Sequence, residues 1–163
     1  MAIASLETVT VEIFKPKAKS FLINTWYRPP NTPIDLFEDD EICIKKMDAE
    51  DKEPICIGDF NCDWLLRKKQ PHTTGLAELN EMYQFEQIIE KPSRIADKTK
   101  GLIDLIFSNK PELIVKSGIE NIEISYHSFI YVHREISIPR KPPKIIKTRQ
   151  YNIPLFKSEL KKY

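Results

Sequence analysis

The chain has 163 residues, of which 41% are hydrophobic and 30% charged, and its formal net charge is +1. This length and composition are typical of one soluble globular domain and exclude a disordered chain. No apolar run approaches the roughly 20 residues that a membrane span needs, and the first residues lack the basic flank and long apolar region of a secretory signal. We therefore expect an intracellular protein of the nucleus or cytoplasm, without membrane contact. A monomer is expected as well.

Charge is distributed unevenly along the chain. Residues 140–163 carry eight Lys or Arg and one Glu, a net charge of +7, which leaves −6 for residues 1–139. A basic segment can contact nucleic-acid phosphates, and a solvated linker is an equally good interpretation. The three cysteines, Cys43, Cys56 and Cys62, show no Cys-x-x-Cys spacing, which indicates reduced thiols rather than a zinc site.

The first predicted elements are two strands and a helix. β-Branched and aromatic residues at 8–14 and 20–27, separated by a short polar loop, predict a β-hairpin. Thr32 and Pro33 supply an N-cap and a first-turn proline for a helix that continues to about Met47.

The middle of the chain alternates strands and helices. Apolar residues at 55–58 predict a central strand buried on both faces, and a three- and four-residue apolar spacing predicts a helix over 74–89. Further strands are predicted at 102–107, 119–124 and 129–138. Strands separated by helices indicate an α/β sandwich.

The last part of the chain is set apart by composition. Prolines from position 139 onward end the compact region, and a short amphipathic helix is predicted within 152–163. The prediction is a domain over 1–138 followed by a basic linker and helix over 139–163. Gly101 and Gly118 are interpreted as turn glycines.

The segment with most chemical information is Ile-Cys-Ile-Gly-Asp-Phe-Asn at 55–61. Residues two apart on an extended segment point the same way, so Asp59 and Asn61 are expected to reach one site where the strand ends. A carboxylate can hold Mg²⁺ or accept a proton from water, and an amide can donate to a phosphate oxygen. The alternative is an ordinary turn, which the same residue types favour.

Three more motifs accompany Gly-Asp-Phe-Asn in a fixed order. They are Trp-Tyr-Arg-Pro-Pro-Asn at 26–31, Ile-Asp-Leu-Ile-Phe at 103–107 and Ser-Tyr-His at 125–127. This series resembles the endonuclease/exonuclease/phosphatase family, and within it the apurinic-type endonuclease domain of non-LTR (LINE-type) retrotransposons. The resemblance extends from about Val9 to Val132. It implies a four-layer α/β sandwich of two packed mixed β-sheets flanked by helices, here expected to be incomplete at the N-terminus.

The resemblance also assigns roles to single residues. Asp59 would orient or deprotonate the attacking water, and Asn61 would steady the phosphate. Asp104 would hydrogen-bond one nitrogen of His127, so that the other nitrogen faces the phosphate. Tyr27 would donate its hydroxyl to the same phosphate. Taken singly, Tyr27 has a plainer interpretation as a strand-end aromatic, Asp104 as a turn or N-cap residue, and His127 as an exposed loop histidine.

Residues of three surrounding loops are assigned to substrate binding: Asn31, Trp64 and Arg94. His72 and His133 fit no partner pattern and are interpreted as surface or edge residues. The resemblance implies DNA as the partner, Mg²⁺ as the cofactor and a reverse transcriptase in cis beyond residue 163. The function it implies is target-site nicking by hydrolysis of a phosphodiester.

Two departures from the family pattern weaken this expectation. Tyr126 stands where the family has a metal-binding Asp, and a phenol with a pKa of about 10 is a poor ligand for a hard cation. The Asn and the metal-binding Glu of the family's opening strands have no counterpart in the chain. We therefore expect an incomplete metal site and a degenerate or truncated copy with reduced or no activity. The alternative is a non-catalytic remnant that binds nucleic acid or protein.

Overall fold

The computed structural model describes residues 7–33, 36–96, 99–122, 125–136 and 153–161. The strands are β1 (Glu7–Ile13), β2 (Phe21–Tyr27), β3 (Glu53–Asp59), β4 (Glu86–Gln87), β5 (Arg94–Ala96), β6 (Thr99–Gly101), β7 (Asp104–Ser108), β8 (Ile114–Glu120) and β9 (Phe129–Arg134). The helices are α1 (Leu36–Asp48), α2 (Pro71–Met82) and α3 (Ile153–Leu160). Short 3-10 turns lie at Trp64–Leu66 and Pro111–Leu113.

Five of the strands form one mixed sheet, in the order β1-β2-β3-β7-β4. β2 and β3 run parallel and are connected through α1, whereas the other neighbours in this sheet are antiparallel. The predicted hairpin is β1–β2. β5–β6 and β8–β9 are separate two-stranded antiparallel ribbons. The α/β prediction is confirmed.

The sheet is covered on both faces at its centre. Leu105 and Ile106 are adjacent on β7 and therefore point to opposite faces, yet neither is exposed to solvent. The helices α1 and α2 cover one face, where Phe107 packs near Ile44 and Leu76. The β8–β9 ribbon adds partly buried apolar side chains to the same core.

An ion pair also connects the ribbon to the sheet. Arg134, the last residue of β9, donates from Nε to both carboxylate oxygens of Glu53 at 3.0 and 3.1 Å. The guanidinium also lies 4.3 Å from the ring centroid of Phe21. Because Glu53 is buried, this paired carboxylate depends on the arginine to offset its desolvation.

Gly58 permits a close approach of two strands. It lies opposite Trp26 in the parallel β2–β3 register, and a Cβ at this position would be 1.8 Å from the Trp26 carbonyl oxygen. Any larger residue would have to displace backbone. The glycine therefore belongs to the packing of β3 against β2, immediately before Asp59.

The helix prediction over 74–89 is wrong at both ends. α2 begins at Pro71, in the first-turn position that suits proline, and ends at Met82. Gln84 has a φ of 58°, which breaks the helical path, and Glu86–Gln87 then pairs with β7. Apolar spacing continued beyond the helix because the following residues face the same core.

Three smaller predictions are also corrected. Thr32 does not cap α1, which begins at Leu36; its hydroxyl instead donates to the carbonyl of Pro29. Gly101 lies on β6 and Gly118 on β8 rather than in turns. The predicted linker and the ends of the last strands fall largely at 123–124 and 137–152, outside the described residues. Among the described helices, none is long and apolar enough to cross a membrane.

Candidate active site

Three residues from three separate motifs form a row across the main sheet. Tyr27 ends β2 and lies opposite Asp59, which ends β3, and Asp59 lies opposite Asp104, which begins β7. Residues directly opposite each other on neighbouring strands present their side chains on the same face. The register therefore brings the two carboxylates and the phenol to one edge of the sheet.

Asn61 reaches this edge through a turn. β3 ends at Asp59, and Asn61 has a φ of 47°, so the expected extended path through both residues is wrong. The backbone N–H of Asn61 donates to Oδ1 of Asp59 at 3.0 Å, which closes the turn. The Asn61 carboxamide donates to the carbonyl of Arg28 at 2.7 Å, and its NH₂ group has a second N–H that can bind another acceptor.

Asp104 and His127 form a direct pair. Nδ1 of His127 lies 3.1 and 3.0 Å from the two carboxylate oxygens of Asp104. A carboxylate oxygen accepts, so Nδ1 donates and the ring is oriented with Nε2 on its far side. Asp104 is buried, whereas the His127 side chain is 40% exposed. The ring is therefore anchored in the protein at one nitrogen and accessible at the other.

The loop that carries His127 is attached to β5. An isolated bridge joins His127 to Arg94, and the N–H of Ile95 donates to the carbonyl of Tyr126 at 3.1 Å. The hydroxyl of Ser125 accepts from the His127 backbone N–H at 3.1 Å. These contacts hold the loop, which precedes β9, against β5 and beside the row of Tyr27, Asp59 and Asp104.

One ligand atom each from Asp59, Asp104 and His127 lie within 4.8 Å of one another. Burial raises the pKa of the Asp59 carboxyl. The Asn61 backbone N–H opposes this shift, the Asp104 charge adds to it, and His127 and Arg94 oppose it. An Asp with a raised pKa is a better proton acceptor than an ordinary one.

These donors do not fit a magnesium site. Mg²⁺ prefers six oxygen ligands at octahedral positions. Both Asp104 oxygens face the His127 N–H, and imidazole nitrogen is a poor match for a hard cation, which leaves the carboxylate of Asp59. Tyr126 is 69% exposed and offers a phenol oxygen in place of a carboxylate. Among the described residues, this is the one cluster with metal-ligand geometry.

The three residues predicted to bind substrate differ in their exposure to solvent. Asn31 is exposed in the loop after Tyr27, with a φ of 59°, and Arg94 is exposed beside the bridge to His127. Trp64 packs edge-on against Phe107, with ring centroids 5.3 Å apart. The indole is therefore part of the core boundary, which favours a structural role over a free DNA contact.

Sequence reasoning missed the role of Arg28. Although charged, it is 2% exposed, and its guanidinium donates to the carbonyl of Thr32 at 2.8 Å and lies 3.4 Å from Nδ1 of His72. His72 thus has a neighbour in the fold that its sequence context did not indicate. Because the Arg28 carbonyl also holds Asn61, this buried arginine supports one side of the site.

Comparison with solved structures shows which fold this is. The endonuclease domain of TRAS1, a telomere-specific non-LTR retrotransposon, matches 78% of the chain with a TM-score of 0.67 at 18% identity. The chain has the endonuclease/exonuclease/phosphatase fold. The resemblance read from the motifs is confirmed at the level of the fold.

Two further structures share this fold. An endonuclease/exonuclease/phosphatase family protein from Leptotrichia buccalis has a TM-score of 0.51 at 20% identity. The Xenopus laevis APE2 catalytic domain has a TM-score of 0.54 at 14% identity. Each of the two matches covers 78% of the chain. The chain spans 63% of the TRAS1 domain, 53% of the Leptotrichia protein and 55% of the APE2 domain. No protein-family model and no curated protein matches the sequence.

Proposed function

We propose that the chain is part of a DNA endonuclease domain that hydrolyses phosphodiester bonds. The observation that carries the proposal is the cluster of Asp59, Asp104 and His127, whose ligand atoms lie within 4.8 Å of one another at the edge of the sheet. The fold shared with the TRAS1 endonuclease domain supports DNA as the substrate and a retrotransposon as the source.

In the proposed reaction, Asp59 accepts a proton from the attacking water. Oδ1 of Asp59 accepts the backbone N–H of Asn61, and the raised pKa of the carboxyl favours proton uptake. The water oxygen forms a bond to phosphorus, and the bond from phosphorus to the 3′-oxygen breaks. The leaving oxygen takes a proton from a second water, and the hydroxide so formed takes up the proton from Asp59. The products are a 3′-hydroxyl and a 5′-phosphate, and Asp59 is again a carboxylate.

The other residues hold the phosphate during this step. Asp104 fixes His127 through Nδ1, so that Nε2 faces the phosphate and donates to a non-bridging oxygen when the ring carries a proton on both nitrogens. The second amide N–H of Asn61 and the hydroxyl of Tyr27 donate to the same group. Asn31 and Arg94 contact the flanking DNA, and Trp64 supports the loop that follows β3.

The resemblance implies a metal cofactor, which would offset the charge that develops on the phosphate. The described donors do not fit Mg²⁺, and Tyr126 replaces an expected carboxylate. We therefore propose reduced nicking activity, as expected of a degenerate or partial copy. In the same proposal the domain covers 1–138, acts as a monomer in the nucleus or cytoplasm, and lies beside a polymerase in cis.

The proposal is tested by nicking of supercoiled plasmid, in Mg²⁺, in Mn²⁺ and in EDTA. Wild type is compared with Asp59→Ala and His127→Ala, and with the exposed control variants Asp39→Ala and His133→Ala. Nicking that is lost in the first two variants and kept in the controls supports catalysis. Equal background in all five proteins rejects it.

A non-catalytic remnant that binds DNA is the second candidate. The misfit between the described donors and Mg²⁺ favours it, because binding through phosphate contacts needs no metal. It predicts affinity for duplex DNA that falls as salt rises, with no cleavage in any metal. Wild-type nicking above the Asp59→Ala background would reject it.

A further inference from the structure

Ser93 contacts the backbone of both segments that carry the Asp104–His127 pair. It lies in the turn between β4 and β5, is 0% exposed, and is not among the proposed catalytic residues. The sequence marks it only as the serine of a Lys-Pro-Ser-Arg turn at 91–94. Its contacts in the fold are far more specific than a turn requires.

The side chain of Ser93 holds the start of β7. Its Oγ accepts the backbone N–H of Asp104 at 2.9 Å and that of Ile103 at 3.2 Å. Its own N–H donates to the carbonyl of Gly101 at 3.0 Å. A single hydroxyl oxygen therefore satisfies two buried amide donors at the point where Asp104 enters the site.

The main chain of Ser93 holds the loop of His127. Its carbonyl accepts the N–H of Ser128 at 2.7 Å, one residue beyond the histidine. Arg94, the next residue along the chain, forms the bridge to His127 itself. The separation of the Asp104 carboxylate from the His127 ring is thus set through one buried residue that touches the backbone of both segments.

We propose that Ser93 is a positioning residue that sets the Asp104–His127 geometry and, with it, the orientation and tautomer of the imidazole. Without Oγ, the amides of Ile103 and Asp104 lose their acceptor inside the protein, and the start of β7 must shift to recover one. A shift of about 1 Å at a catalytic group costs roughly 100-fold in rate. The expected loss of rate rests on the proposed function. The expected change in the orientation and tautomer of the His127 imidazole does not.

The test compares Ser93→Ala with a matched control. Like Ser93, Ser108 is 0% exposed. It ends β7, at the opposite end of the strand from Asp104, and its Oγ accepts the N–H of Lys110 at 3.1 Å. Ser108→Ala therefore deletes the same atom and a similar hydrogen bond without touching the pair. Ser93→Thr keeps the oxygen and serves as the rescue variant. Thermal unfolding establishes that each full-length variant is folded.

The first readout is the nitrogen NMR spectrum of His127, assigned with His127→Ala, which distinguishes the two imidazole tautomers. Wild type, Ser93→Thr and Ser108→Ala are expected to show the Nδ1–H tautomer, and Ser93→Ala a mixture with Nε2–H. The second is plasmid nicking, where Ser93→Ala is expected to lower kcat about 10- to 100-fold with little change in KM.

An Nδ1–H signal in Ser93→Ala equal to that of wild type would overturn the proposal, as would an equal change in Ser108→Ala. If Ser93→Thr does not fold, the comparison of the two alanine variants still decides. Absence of nicking in wild type rejects the proposed function alone, because the tautomer readout needs no activity.

Discussion

Asp59, the last residue of β3, lies directly opposite Asp104, the first residue of β7, and this register brings two carboxylates into one site. Burial is the main cause that raises the pKa of Asp59, and the charge of Asp104 adds to it. The proximity follows from the antiparallel pairing, since the two residues are far apart in sequence. It makes the protonation of Asp59 sensitive to its neighbour.

Asp104→Asn is therefore expected to lower the pKa of Asp59, because it removes a nearby negative charge. The check is a carbon NMR titration of the Asp carboxyls. Deprotonated Asp59 is the proposed base, so any remaining nicking should persist to lower pH than in wild type. The exposed Asp39→Asn serves as control, and an unchanged or higher Asp59 pKa in Asp104→Asn would contradict the prediction.

A second buried carboxyl predicts an unusual dependence of stability on pH. Burial raises the pKa of Asp40 to about 7, although the charge of Arg28 opposes the shift. A group whose pKa is higher in the folded state stabilises the protein at pH below its unfolded value of 3.8, and this contribution is lost as pH rises through about 7. The loss is on the order of 4 kcal/mol.

Asp40→Asn mimics the protonated form and should remove this loss. Urea unfolding at several pH values between 4 and 8 measures it, as the difference in unfolding free energy between variant and wild type. That difference should grow in favour of the variant as pH rises. Glu38→Gln, also on α1 and exposed, is expected to follow wild type. A pH-independent difference for Asp40→Asn would show that the carboxyl is charged throughout.

Two glycines give opposite predictions for the same substitution. Gly58→Ala places a methyl 1.8 Å from the Trp26 carbonyl oxygen, so strands β2 and β3 must separate, at a cost of about 3 kcal/mol or more. Gly75→Ala lies within α2, where the methyl meets the Phe37 ring at 3.4 Å and helix propensity gains about 1 kcal/mol. Chemical denaturation compares them, and similar values for both would be inconsistent with the strand geometry.

Asn61 combines a backbone role and a side-chain role that two variants separate. Its φ of 47° is tolerated by glycine, so Asn61→Gly should change stability by less than about 1 kcal/mol. The same variant loses the carboxamide and is expected to reduce nicking about 100-fold. Asn61→Ala should lose both, with unfolding free energy lower by about 1–2 kcal/mol. Full nicking by a stable Asn61→Gly would remove the carboxamide from the mechanism.

Short-range patterns predicted much of the local structure. The hairpin β1–β2, the buried strand β3 and the strand at β7 follow from β-branched and apolar runs, whose preference for strands is local. The motif residues Tyr27, Asp59 and Asp104 were identified by type and order. Their alignment in one row is decided by strand register, which depends on pairing partners.

Other features depended on neighbours in space. The apolar pattern runs from α2 into β4 without a break, because both pack on the same core, so the end of the helix at Met82 was not visible. Arg28 and Ser93 resemble ordinary loop residues in the sequence. Their roles arise from hydrogen bonds to Thr32 and Asp104, which exist only once the chain is folded.

The sequence by itself determined the α/β class, several strands and the identity of the chemical groups, since propensity, periodicity and side-chain chemistry are properties of short segments. Only the tertiary structure decided that Asp59, Asp104 and His127 meet and that Nδ1 is the histidine nitrogen that faces a carboxylate. Hydrogen bonds and ligand geometry depend on distances of a few ångströms between residues far apart in the chain, and packing fixes those distances.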